Sequence, residues 1–261
     1  MAVFRARAVA VAAGVPAVFA LLATVLTVGS AGPEAVAAEP VTVTAAVRSD
    51  PPFGVRRSLV RSGRPPMALS FGIPTADPVV FITIDDGVHK DRAGLRYVER
   101  HRIPVTAFIS AWTVKDSAAY FSRITRWGSI QNHSATHASL ARSSTDLEHE
   151  ICYSQRALAT DFGSTPWMLR PPYGAGYARM ETQVTAARCG IREFVMWDAV
   201  VENGRLTIPG GTLRPGSVVL LHFTPGLEKD LKAAVRAART AGLRPADLAD
   251  YLPAPSASRP S

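Results

Sequence analysis

Apolar positions along the chain fall into two alternating patterns. Val79-Val80-Phe81-Ile82-Thr83-Ile84 is nearly continuous in apolar character. That is the pattern of a strand buried on both faces, as in a parallel sheet or barrel. Ile103–Ile109, Gly128–Asn132, Trp167–Leu169, Glu193–Trp197 and Ser217–Leu221 repeat it in shorter form. Pro104 sits near the start of its strand, where proline is tolerated. Between these runs the period lengthens to that of a helix. Asp91–Arg102 and Ser117–Trp127 are predicted helices. Thr145-Asp146-Leu147-Glu148 has capping-box spacing and opens a helix carried by Leu147, Ile151, Leu158 and Phe162 to about Asp161, with Gly163 as its stop. Another helix ends at Arg188. Leu227–Thr240 is the last one. Leu227, Leu231, Val235 and Ala238 form its inner face, Glu228 and Asp230 lie in its first turn, Arg236 and Arg239 lie toward its end, and Gly242 follows. Strand then helix, repeated, predicts an α/β fold: a distorted parallel (β/α) barrel of about seven strands in a single domain.

The flanks have a different composition. Arg5 and Arg7 precede an uncharged stretch from Ala8 to Pro33, and Ala35-Val36-Ala37 fits the small-x-small pattern of signal-peptide cleavage. Residues 1–37 therefore read as an export signal, or as an uncleaved membrane anchor through residues 8–30. Either places the protein outside the cytoplasm, secreted or membrane-anchored. Residues 38–77 contain Pro51-Pro52 and Pro65-Pro66 and read as a linker or N-terminal arm. The folded domain is predicted over 78–253 and a loose tail over 254–261.

Composition narrows the partners. The 261 residues are 47% apolar, enough for one sizeable core. The net charge is +8, and removing Arg5, Arg7 and Glu34 with residues 1–37 leaves +7 (8 − 2 + 1). A basic exported protein is drawn to anionic surfaces such as a cell wall. No aromatic-basic stripe points to nucleic acid. Cys152 and Cys189 allow one intramolecular disulfide, which export would preserve. The chain is read as a monomer.

The chemistry falls at the strand ends. Asp85 and Asp86, His133 and His137, Arg170, Asp198, and His222 each follow a predicted strand. In a barrel those ends share one rim. Two adjacent acids are costly unless a cation separates their roles. His133-Ser134-Ala135-Thr136-His137 spaces two imidazoles four apart, as on one helical turn, and with a carboxylate they make a three-point metal site with open positions. The same set could hold ferrous iron in an oxygenase. His222 is a candidate general acid, and Arg170 can pair with a carboxylate. His89, His101 and His149 read as surface residues.

These segments together resemble the polysaccharide deacetylase family, carbohydrate esterase family four, over roughly Pro78 to Leu252. Thr83-Ile84-Asp85-Asp86-Gly87 is similar to its first motif, which implies Asp85 as general base and Asp86 as metal ligand. Asn132 to His137 is similar to the second, implying His133 and His137 as ligands. Arg170-Pro171-Pro172-Tyr173-Gly174 is similar to the third. It implies that Arg170 orients the base and that the Tyr173 backbone N–H helps bind the oxyanion. Leu220-Leu221-His222 is similar to the fifth, implying His222 as general acid. The fourth motif departs: its usual Asp-Trp is absent from Trp197-Asp198-Ala199-Val200-Val201-Glu202-Asn203-Gly204, where Asp198 or Glu202 would substitute. The resemblance implies a zinc-dependent hydrolase that removes N-acetyl groups from a polysaccharide, with N-acetylglucosamine of peptidoglycan or a chitin-like polymer as substrate. The alternatives are an esterase on O-acetylated glycan and a carbohydrate-binding homologue with weak or lost catalysis.

Overall fold

A computed structural model describes residues 56–59 and 67–252, all within one unit spanning 49–261. The strands are β1 (Arg56–Leu59), β2 (Met67–Ser70), β3 (Val79–Asp86), β4 (Val105–Ile109), β5 (Ser129–Asn132), β6 (Met168–Leu169), β7 (Glu193–Val195), β8 (Ala199–Glu202), β9 (Arg205–Thr207), β10 (Ser217–His222) and β11 (Arg244–Pro245). The α-helices are α1 (Arg92–His101), α2 (Ala118–Ile124), α3 (Ser154–Phe162), α4 (Met180–Arg188) and α5 (Leu227–Thr240).

Strands β2, β7, β6, β5, β4, β3 and β10 lie side by side in parallel. The sheet curls, and a single bridge between Gly72 and Ser217 links its two ends. This is the predicted α/β barrel, distorted and incompletely closed. Period-two alternation along β3 divides the core. Val80, Ile82 and Ile84 face outward against Leu95 and Val98 of α1 and Leu227, Leu231 and Val235 of α5. Val79 and Phe81 face inward with Phe108, Met168, Val195 and Val218. The inward set continues to Thr83 and Asp85, whose side chains are held inside the curl.

Three differences from the sequence reading concern the fold. The domain does not begin at Pro78: β2, inside the segment expected to be a linker or arm, pairs in parallel with β7. Its run Met67-Ala68-Leu69-Ser70 is short and flanked by Pro65-Pro66, so it has no period of its own. The Thr145 capping box does not form. Thr145 Oγ1 instead donates to the Ser139 carbonyl, the Asp146 carboxylate accepts from His149 N, and Glu148–Tyr153 makes a π-helical turn before α3. Finally, the sequence reading passed over the antiparallel hairpin β8–β9. Its turn, Asn203-Gly204, has φ of 53° and 77°, the left-handed pair that joins short hairpins, and Asn-Gly was its signal. The expected signal or anchor over 1–37 and the tail over 254–261 lie outside the described residues. Among the described residues no helix is long and apolar enough to cross a membrane.

Candidate active site

Register places the chemistry. Asp86, Ile109, Asn132 and Leu169 stand level across β3, β4, β5 and β6, and Asp85 pairs with His222 of β10. The next residues, Gly87, Ser110, His133 and Arg170, therefore leave the sheet on one rim. Gly87 turns the chain away at φ 91°, where a Cβ would meet Thr113 Oγ1 at 2.5 Å.

Asp85 is 3% exposed and Arg170 is fully buried. Arg170 Nη1 donates to Asp85 Oδ1 at 2.8 Å and to Thr83 Oγ1 at 2.7 Å. Its Nε donates to the Val195 carbonyl and its Nη2 to the Met196 carbonyl, and the guanidinium lies 4.3 Å from the centre of the Phe108 ring. Every arm of the fork is engaged. Burial lowers the Arg170 pKa, and the Asp85 carboxylate opposes that effect.

Asp86, at φ 79°, turns away from Asp85 toward the histidines. His133 Nε2 lies 3.3 Å and His137 Nε2 3.1 Å from Asp86 Oδ1. His133 Nδ1 donates to the Arg170 carbonyl at 2.7 Å, which orients the ring and turns Nε2 toward Asp86 Oδ1. Burial would raise the Asp86 carboxyl, but hydrogen bonds with His133 and His137, and the charges of His133 and His222, outweigh it and hold the group well below the ordinary carboxylate range. The hydrogen bond with Asp86 raises His137, against its burial. One ligand atom from each of the three side chains lies within 4.8 Å of the others. Two imidazole nitrogens and a carboxylate oxygen facing one point form a donor set that fits a divalent ion such as zinc and leaves positions open.

The histidines do not share a helical turn, as their spacing had predicted. They lie in a loop in which Ser134 and His137 have φ of 71° and 66°. Ser134 N donates to Asn132 Oδ1, His137 N donates to Ser134 Oγ, and Ser110 Oγ donates to the His133 carbonyl. Tyr173 follows β6 in a turn with φ of 61°. Its Oη is 3.3 Å from His137 Nδ1, the two rings are 4.8 Å apart, and the side chain is 72% exposed. A groove of about 530 Å³ opens beside them, with Ser139, Arg142, Asp146 and Glu150 in its wall. His89, His101 and His149 are exposed, as expected.

Asp198 is not on this rim. Its Oδ1 accepts from Val218 N at 2.6 Å, and Val218 is level with Phe81, four residues below Asp85 on β3. Four strand residues separate it from the rim by about 13 Å. A turn of the chain after β7 carries Asp198 back down the sheet, and strand-end position alone did not reveal that. Burial pushes its carboxyl up to about 6, and Oδ2 has no hydrogen-bond partner among the described residues. Glu202, the other candidate, is exposed in the β8–β9 hairpin.

The sequence reading also passed over residues that build the site. Thr83, a hydroxyl inside an apolar strand, was legible as an anomaly. Ser110 and Glu150 carried no signal of their own. Neither did Trp112, which is 56% exposed and rests against the same loop through its N–H to the Ala135 carbonyl.

A sequence profile for polysaccharide deacetylase matches residues 72–194. An uncharacterized protein of Streptomyces coelicolor is 34% identical over 193 residues, covering 69% of this chain and 75% of that protein. The chain belongs to the polysaccharide deacetylase family. A peptidoglycan-N-acetylglucosamine deacetylase of Bacillus cereus is 28% identical over 167 residues, 61% of either chain. The crystal structure of a peptidoglycan N-acetylglucosamine deacetylase, bound to a naphthalenyl N-hydroxybenzamide, superposes with a TM-score of 0.60 at 23% identity, over 72% of this chain and 94% of that one, and shares the fold. As a polysaccharide deacetylase the protein is an amide hydrolase.

Proposed function

We propose that this polysaccharide deacetylase removes N-acetyl groups from N-acetylglucosamine in a cell-wall polymer, using zinc held by Asp86, His133 and His137. One observation carries the reading: three ligand atoms converge beside an Asp85 that Arg170 holds in place. A zinc ion bound there would polarise the acetamide carbonyl and acidify a water molecule. Asp85 accepts that water's proton at a carboxylate oxygen. The Tyr173 backbone N–H donates to the carbonyl oxygen as it gains charge. His222, paired with Asp85 on the neighbouring strand, gives a proton to the departing glucosamine nitrogen, and acetate is released.

The substrate rests on softer support. The Bacillus cereus relative is named for peptidoglycan N-acetylglucosamine, and the basic charge of this chain favours an anionic wall. Trp112 and Tyr173 stand exposed on the rim, as sugar-stacking rings do. Export follows from the pattern of residues 1–37, and the bond between Cys152 and Cys189 suits an oxidising compartment.

The test is acetate release from peptidoglycan, from chitin oligomers and from acetylated xylan. It is run on the full chain as purified, after chelation and after zinc is restored. Activity that disappears and returns supports the proposal, and the preferred polymer names the substrate. Asp86→Ala should lose the metal, whereas Asp85→Asn should keep it and lose turnover by about 100-fold or more. Bound zinc with no acetate from any glycan would instead point to a carbohydrate-binding homologue.

A further inference from the structure

Glu150 is an acid that the chemistry above does not use, yet it is only 4% exposed. It lies in the π-helical turn Glu148–Tyr153. Such turns are rare and concentrate at functional sites. Glu150 Oε2 accepts from Ala135 N at 3.1 Å and Thr136 N at 3.0 Å, and Oε1 accepts from Thr136 Oγ1 at 2.6 Å. All of these donors lie between His133 and His137. The same helical segment holds the near end of the loop: Asn132 Nδ2 donates to the Ile151 carbonyl, and Ser154 Oγ donates to Asn132 Oδ1. The loop needs such support, because Ser134 and His137 take left-handed conformations without being glycine. Residues of that kind persist where the surroundings over-determine them.

We propose that Glu150 is a positioning residue for the metal site: its carboxylate clamps the Ala135-Thr136 backbone and so keeps His137 Nε2 beside His133 Nε2 and Asp86 Oδ1. The inference rests on the metal reading of that triad. It differs from a merely structural role in what it moves. Without the clamp, His137 retains its imidazole but loses its fixed approach, so metal affinity falls before the fold does.

The test measures the zinc dissociation constant of the full chain by competition with a chelating dye, with thermal unfolding of the metal-free protein recorded alongside. Glu150→Ala should weaken zinc about tenfold to 100-fold, the range seen when groups supporting metal ligands are lost. Glu150→Gln, which keeps one acceptor for the backbone N–H groups, should fall between, at least threefold weaker than wild type. Amide hydrogen exchange at Ala135 and Thr136 should rise in the same order. A folded Glu150→Ala that binds zinc as tightly as wild type overturns the proposal. Should that variant not fold, Glu150→Gln decides by the same criterion. A wild-type chain that binds no divalent ion overturns the metal reading and this inference together. Tight wild-type binding with unchanged variants overturns this inference alone.

Discussion

Asp85 Oδ1 and Arg170 Nη1 lie 2.8 Å apart, and both side chains are at most 4% exposed. A carboxylate and a guanidinium buried together depend on each other. Removing one leaves the other charged in a low-dielectric interior, a change that costs about 3–5 kcal/mol. Arg170→Met should therefore lower the unfolding free energy by about that amount and abolish acetate release. Arg170→Lys keeps the charge but cannot span Asp85, Thr83, Val195 and Met196 in one planar fork, so it should recover part of the stability and little turnover. Urea titration beside the acetate assay measures both, and an Arg170→Met protein as stable as wild type would contradict the pairing.

Asp198 makes a prediction about pH. Its folded pKa of about 6 lies above the ordinary 3.8, so the folded state holds the proton more tightly than the unfolded state. The group therefore contributes no penalty below about pH 4, costs stability progressively as pH rises to about 6, and costs the full amount above that. Asp198→Asn keeps an oxygen for Val218 N and removes the charge. It should be more stable than wild type at pH 7, by about 1–3 kcal/mol, with the advantage gone at pH 4. Denaturation across pH 4–7 checks the slope. An equal difference at both ends would place the cause elsewhere. Because Asp198 lies below the rim, acetate release by the variant should stay within about threefold of wild type, in contrast to any change at Asp85.

Trp112 tests whether the substrate is a polymer. Its backbone is tied to the loop between His133 and His137, with Ala111 N donating to the Ser134 carbonyl and Trp112 N to the Ala135 carbonyl, while the indole stays in solvent. A sugar ring stacked on it would contribute about 1 kcal/mol. Trp112→Ala should raise KM for a hexamer of N-acetylglucosamine about five- to tenfold and leave the dimer unaffected, with kcat unchanged. Equal effects on dimer and hexamer would remove Trp112 from the substrate path.

The bond between Cys152 and Cys189 closes a loop of 37 residues and joins the π turn that carries Glu150 to the end of α4, with a Cα–Cα distance of 5.2 Å. Chain-entropy arguments give about 3–4 kcal/mol for a loop of that size. Reduction, or replacement of both cysteines by alanine, should lower stability by that order. Thermal unfolding with and without reductant reads it directly. No shift in Tm would mean that the segment is held by packing alone.

Much of this was legible in the chain because the information is local. A continuous apolar run such as Val79–Ile84 specifies a buried parallel strand, and whatever follows such a strand must emerge on the rim. That reasoning places Asp85, Asp86, His133, Arg170 and His222 at neighbouring strand ends, where the register puts them. It misplaced Asp198, because the chain after Val195 turns back along the sheet, and it passed over β2, whose partner β7 lies more than a hundred residues away.

By itself, then, the sequence determined the fold class, the order of the rim residues and the kinds of group available for metal binding and proton transfer. Periodicity and strand ends are properties of neighbouring residues. Only the tertiary structure decided that the two histidines meet through a left-handed loop rather than a helical turn, that Arg170 is wholly buried against Asp85, and that Glu150 reaches back to hold Ala135 and Thr136. Each of those facts depends on hydrogen bonds between segments far apart in the chain. Their geometry exists only once the curled sheet has brought its strand ends to one edge.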